Sequence, residues 1–311
     1  MNNEIEIVKR VLDSTPRANF QGRNCAANHL NVIWAIDPAW TVNALRVLKI
    51  SGAVPNGKKD DREPECLYEI SGRGIALFQL TGQMMKGDSK YGGVNTLRLR
   101  HALATASRDP QVRGGIMVVD SPGGTAAGTD ELAMSIVQFA ETKPIWTFID
   151  DLAASAAMWA SSASDKIFIN RSGMAGSIGC YAVLYDTSGS AEIQGIKVVQ
   201  LTTGPYKGAG EDGVEITEEQ VKYFQTIVDG SAELFYRAIA EGRGIALSKV
   251  RDKEGIASGK VWNAQESIEL GLVDEISTLN DVHEKLANSL DRKARAAAAG
   301  RITKVATQNR G

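Results

Sequence analysis

Histidine is nearly missing from this chain: His29, His101 and His283 are the only three in 311 residues. None has a motif around it, so a Ser-His-Asp arrangement finds no support. Cysteine is as rare, and Cys25, Cys66 and Cys180 are odd in number and widely spaced. That excludes a disulfide framework and zinc-type spacing, and it points to a reducing compartment. No His, Cys or carboxylate cluster has metal-ligand spacing, so no metal and no cofactor is expected. Long apolar runs are lacking too: no window approaches the roughly 20 residues that cross a bilayer. The N-terminus, Met-Asn-Asn-Glu-Ile-Glu, has no basic stretch followed by an apolar one. The expectation is a soluble protein without membrane contact or a recognisable export signal. A net charge of −2 leaves no excess of one sign and argues against broad nucleic-acid binding.

What the chain does have is length for one large domain or two modest ones, and abundant glycine beside apolar strands. Residues 1–50 show the weakest pattern. Val8 to Leu12 and Ala39 to Ile50 read as helix starts, and Trp34 and Trp40 as packing residues. Ser51 to Glu65 combines Gly, Pro and a charge run and reads as a linker, so residues 1–65 form an N-terminal extension. From Cys66 the pattern alternates. Buried strands are predicted at 74–80, 115–119, 144–149, 166–169 and 197–201. Between the first two, Val94, Leu97, His101 and Ala104 recur at helical spacing; after the second, Leu132, Ile136 and Phe139 do. Thr217-Glu-Glu-Gln220 opens as a capping box, with Val221, Phe224, Val228, Phe235 and Ile239 on one face behind it. A short helix is expected from Ala264 to Leu270, with Asn263 as N-cap and Gly271 as the stop. This alternation predicts an α/β domain with a mostly parallel sheet over residues 66–290. Residues 291–311, with Arg292, Lys293, Arg295, Arg301, Lys304 and Arg310 against Asp291 alone, read as a flexible or partly helical basic tail.

One stretch carries chemistry: Asp151-Leu-Ala-Ala-Ser-Ala-Ala-Met-Trp-Ala160. Its hydroxyl, Ser155, falls at a strand-to-helix junction among small residues, where a nucleophile is exposed beside unpaired N–H groups. A serine starting a helix is more often a cap. Without a histidine the base must be another group, and a lysine serves once burial disfavours its ammonium form. Lys207, between Gly204-Pro205 and Gly208-Ala-Gly210 with no acid beside it, is the candidate, although most lysines are simply exposed. Asp120-Ser-Pro-Gly-Gly124 offers consecutive N–H groups for an oxyanion, or an ordinary Pro-Gly turn.

Taken in order, several short pieces resemble the S49 peptidases, the signal peptide peptidase A family. They are Asp120-Ser-Pro-Gly-Gly124, Ala153-Ala-Ser-Ala-Ala157, Asp165-Lys-Ile-Phe168, Gly176-Ser-Ile-Gly179, Gly204-Pro-Tyr-Lys-Gly208, and Gly259-Lys-Val-Trp262 through Gly271-Leu-Val-Asp274. The resemblance, from about Gly74 to Ile276, is nearest to the phage-type members that act as prohead proteases. It implies Ser155 as nucleophile, Lys207 as general base and Ser177 as the residue orienting the lysine. Gly124 and the Ser155 backbone would be the oxyanion donors.

The implied fold is a ClpP/crotonase-type spiral of ββα units in ring-like homo-oligomers, with serine and lysine of one site able to come from neighbouring subunits. Capsid-assembly proteins would be the substrates, and the bacterial or phage-infected host cytoplasm, with the procapsid, the location. Many members carry Gly-Gly and an aromatic pair after the serine, where this chain has Ala156-Ala-Met-Trp159. Two other readings on the same fold are a catalytically silent assembly factor and a bacterial signal-peptide-degrading homologue. A third, a crotonase-like acyl-CoA enzyme, lacks a catalytic carboxylate motif.

Overall fold

Strand and helix alternate along the chain, of which this computed structural model describes residues 34–36, 68–89 and 92–308. The first part runs β1 (Trp34–Ile36), β2 (Glu69–Ile70), β3 (Ile75–Thr81), β4 (Met84–Met85), β5 (Val94–Asn95), α1 (Thr96–Arg108), β6 (Gly114–Ser121), β7 (Gly123–Thr125) and α2 (Thr129–Ala140). Then come β8 (Ile145–Ala154), α3 (Ala156–Ser162), β9 (Lys166–Ile169), β10 (Met174–Gly176), α4 (Ser188–Ile193) and α5 (Glu218–Arg243). The last elements are α6 (Leu247–Val250), β11 (Val261–Asn263), α7 (Ala264–Glu269), β12 (Glu275–Ile276) and α8 (Leu279–Gln308).

The main sheet has the order β11-β10-β8-β6-β3-β2, with β9 also beside β8 and β12 beside β9. Its centre, β3, β6, β8, β9 and β10, is parallel. Parallel strands are covered on both faces, which is why they read as unbroken apolar runs. Alternate residues serve opposite faces. Ile75, Leu77, Ile116, Val118, Phe148 and Phe168 meet Leu279, Val282, Leu286 and Leu290 of α8. Ala76, Phe78, Leu80, Met117 and Val119 share the other core with α1, α2, α3 and α5. There Trp159 of α3 stacks on Phe235 of α5, with ring centroids 4.9 Å apart and planes 9° from parallel. The α/β class with a mostly parallel sheet is therefore as the sequence pattern led us to expect.

Several local expectations fail for identifiable reasons. On α1 the buried stripe is Thr96, Leu99, Ala102, Leu103 and Ala106, whereas Leu97, His101 and Ala104 face out. Two apolar stripes compete on that helix, and the one that is buried joins the core shared with α2 and β3. Lys197–Leu201 forms no strand, and Leu201 is 92% exposed. A β-forming sequence needs a ladder partner, and among the described residues of one chain none reaches it. The face expected on α5 is buried only from its middle onward, at Ala232, Phe235 and Ile239, while Val221 stands half exposed. The expected boundary at residue 290 falls inside α8, which Arg73 and Arg113 fasten through Asp291, each at 2.7 Å. Of the N-terminal extension only β1 is described; the helix starts read at 8–12 and 39–50 lie outside the described residues.

Candidate active site

The site begins with an irregularity in β8. Its register with β6 is regular up to Val119 beside Ile149 and resumes at Ser121 beside Ala153. Asp150, Asp151 and Leu152 thus stand opposite Asp120 alone, and such a bulge bends the strand and re-aims the residues beyond it. Burial raises the Asp120 carboxyl above the ordinary carboxylate range, and the charges of Asp151 and Asp150 raise it further. Asp150 is raised by burial and by Asp151. Beyond the bulge, Ala153 and Ala154 pair with Ala175 and Gly176 of β10.

One residue past that pairing stand Ser155 and Ser177. Among the described residues these two are the only non-glycine residues with positive φ, 56° and 52°. Ser155 has ψ −120°, a region nearly reserved for glycine, which stores on the order of 1–3 kcal/mol of strain. Its hydroxyl makes no capping hydrogen bond, so the commonest role of a helix-start serine is not the one it plays. Both backbones are pinned: Ser155 N–H donates to the Gly176 carbonyl at 2.8 Å, and Ser177 N–H to the Lys260 carbonyl at 2.6 Å. Ser155 and Ser177 are 1% and 4% exposed.

The pinning corrects one expectation. The Ser155 N–H, read from the sequence as an oxyanion donor, is already engaged by Gly176. The next N–H, that of Ala156 at the first position of α3, has no acceptor within its helix. Sequence alone could not separate these two neighbours. Gly124 lies on β7, which packs against α3. A Cβ there would stand 1.8 Å from the Met84 carbonyl oxygen, so the β4–β7 approach admits glycine only. Ser121 fixes the turn before it, donating to the Gly82 carbonyl at 2.6 Å and accepting from Gly123 N–H at 3.1 Å.

No hydrogen bond joins Lys207 to Ser155 within one chain, where the serine is buried. The lysine is exposed, its N–H closes a turn on the Gly204 carbonyl at 3.1 Å, and among the described residues its amine has no hydrogen-bond or ion-pair partner. It belongs to a long, open segment, residues 179–217, with Ile193, Val199 and Leu201 at 90, 70 and 92% exposed. Isolated chains seldom leave so many large apolar groups in water.

A cleft of about 550 Å³ opens beside Ser177, between residues 177–181, α5 and residues 251–259. Cys180 lines it, and burial pushes its thiol up to about 12, so it stays protonated and is no nucleophile at neutral pH. A larger cavity of about 1020 Å³ lies between α8 and the start of β8 and holds none of the site serines. Of the histidines, His101 is exposed and His283 is buried with Nε2 2.8 Å from Ser71 Oγ. Among the described residues no group of three or more His, Cys, Asp or Glu is placed to hold a metal ion. No helix there is long and apolar enough to cross a membrane.

A strained serine at the end of a parallel strand, beside a glycine strand that admits no side chain, is an arrangement suited to acyl transfer. Residues 138–293 match peptidase family S49, half of the chain, and the chain belongs to that family. It is similar to capsid assembly protease C of Escherichia phage lambda, 26% identical over 267 residues, covering 84% of this chain and 58% of that one. The head-tail preconnector protein GP5 of Enterobacteria phage P21 is 27% identical over 251 residues, 78% of this chain and 48% of the other. Protease 4 of Haemophilus influenzae is 24% identical over 220 residues, 70% and 35% of the two chains. The chain spans about half the length of the first two relatives and a third of the last.

Proposed function

We propose that this chain is a serine peptidase in which Ser155 of one copy works with Lys207 of a neighbouring copy, residues 66–290 being the catalytic portion. The observation that carries the reading is the strained, uncapped Ser155 beside a second positive-φ serine, Ser177. The exposed apolar segment bearing Lys207 supports the division between copies: docking it would cover Ile193, Val199 and Leu201 and take the amine out of water. Desolvation disfavours an ammonium ion and so favours the neutral amine that a base requires. Ser177 orients that amine by hydrogen bonding.

The neutral Lys207 amine takes the proton of the Ser155 hydroxyl as Oγ attacks a peptide carbonyl. The tetrahedral oxyanion is held by the N–H groups of Gly124 and Ala156. Lysine then gives the proton to the leaving amine, the C–N bond breaks, and an acyl-enzyme remains. Water, deprotonated by the same amine, releases the acid and restores Ser155. The phage relatives, one named a capsid assembly protease and the other a preconnector protein, make capsid-assembly proteins the substrates we favour. The site of action would be the host cytoplasm and the procapsid.

A catalytically silent assembly factor is the competing reading, favoured by the lack of any partner for the Lys207 amine among the described residues of one chain. A fluorophosphonate probe decides between them. The proposal expects mass-spectrometric labelling of Ser155 in the assembled protein, and loss of labelling in Ser155→Ala and Lys207→Ala. An unlabelled, folded wild-type protein would favour the silent factor.

A further inference from the structure

β7 has neighbours on both edges, and they come from different parts of the chain. On one side β4 runs parallel, with Met84 beside Gly124. On the other β1 runs antiparallel, with Trp34, Ala35 and Ile36 beside Thr125, Gly124 and Gly123. β4 and β5 precede β7 closely in sequence, whereas β1 belongs to the N-terminal extension ahead of residue 68. The sequence around it, Val32-Ile-Trp-Ala-Ile36, is a short β-forming run.

Peptidases hold extended substrates by strand addition, the substrate backbone pairing with an exposed edge. If Gly124 donates to the oxyanion, the edge of β7 opposite β4 is where the residues around the scissile bond must lie. Gly123 and Gly124 suit such a role, because without side chains another backbone can come close. In this structure that edge is already paired. The occupant has the extended form and the backbone hydrogen bonding of a peptide, and it comes from the protein itself.

We propose that Trp34–Ile36 is an internal occupant of the substrate's strand position: the chain lays its own upstream segment antiparallel on β7, and an extended peptide binds by displacing it. This inference rests on the peptidase reading for what it regulates, and on the β1–β7 pairing alone for the occupancy. A ladder of three residues is short enough to exchange, so it restrains the site without closing it permanently. Polypeptides able to supply a longer strand would compete best, and folded proteins without a free extended segment would be excluded.

The test separates occupancy from catalysis by using the full chain in a Ser155→Ala background. Ala35→Pro removes one N–H from β1 and disfavours the ladder. A second perturbation leaves β1 unchanged: a site-specific protease sequence placed within residues 51–65 is cut after folding to release the upstream segment. The probe is a fluorescent peptide with the sequence of residues 30–40. A position filled in nine of ten molecules weakens apparent binding about ten-fold, so both perturbed proteins should bind the peptide about ten-fold more tightly than their parent. Hydrogen exchange at Gly123–Thr125 should speed up in both and slow again with peptide. Equal binding and equal exchange in perturbed and parent proteins, all folded by circular dichroism, would overturn the proposal. With Ser155 restored, freeing β7 should raise cleavage of an unstructured peptide. If nothing is cleaved while the binding pattern holds, the occupancy stands and the peptidase reading fails. If binding is unchanged while cleavage is active, the peptidase reading stands and the occupancy fails.

Discussion

Replacing Ser155 by glycine should make the protein more stable while abolishing its chemistry. Ser155 sits at φ 56° and ψ −120°, where a Cβ collides with its own backbone and glycine does not. Strain of this kind is worth on the order of 1–3 kcal/mol. Glycine gives back about 0.5–1 kcal/mol through the greater freedom of the unfolded chain. No capping hydrogen bond is lost, because the hydroxyl makes none. The net gain is about 1 kcal/mol at the middle of the two ranges, with about 2.5 kcal/mol as the upper bound, or roughly 2–4 °C in Tm at the midpoint for a domain of this size. Ser155→Ala is the control: it removes the same hydroxyl but keeps the Cβ and therefore the strain. Calorimetry on the two inactive variants under one set of conditions makes the comparison. If Ser155→Gly melts no higher than Ser155→Ala, the strain is not stored where the geometry places it, and the argument for a pre-aimed nucleophile loses its footing.

Other outcomes follow from neighbouring features. Gly124→Ala puts a Cβ against the Met84 carbonyl, so β4 and β7 must part, and peptide cleavage should fall by about 10²–10³-fold, as for a lost oxyanion donor. Unimpaired turnover would remove Gly124 from the site. Phe235→Ala unstacks Trp159 and should cost about 3–5 kcal/mol in urea unfolding. For Asp120 the carboxyl is raised in the folded state, which therefore keeps a proton that the unfolded chain has released. Stability falls as pH rises through that window, so Asp120→Asn should exceed wild type at pH 7 and lose its advantage as pH falls to the ordinary carboxylate range. Cys180, with its thiol held near 12, should react with iodoacetamide at pH 9 far more slowly in the native protein than in urea.

The parts of the fold that could be read from sequence are those where one local rule dominates. Apolar runs located β3, β6 and β9 to within one or two residues, and a capping box at Thr217 and an N-cap at Asn263 placed the starts of α5 and α7. The segment 197–201 misled because strand formation depends on a partner, which sequence spacing does not reveal. The α1 stripe misled because two overlapping stripes of apolar residues share that helix, and packing against α2 rather than spacing decides which is buried. At the site, the strand-to-helix junction singled out Ser155 and the family resemblance Ser177, but neither signal announced the positive φ that the two share. Nor was the occupied Ser155 N–H, which depends on Gly176 lying beside it across β10. The acids opposite the β8 bulge and the pairing of residues 34–36 with β7 arise from contacts between distant stretches that no local pattern announces.

The central claim is that one copy's serine meets its neighbour's lysine. Ser155→Ala and Lys207→Ala proteins, each inactive alone, should be unfolded together, refolded as a mixture and assayed on an unstructured peptide. If each site takes its two groups from adjacent copies, random assembly leaves about a quarter of the sites with both intact, and activity should return to about a quarter of the wild-type value. A mixture as inactive as its components would contradict the account.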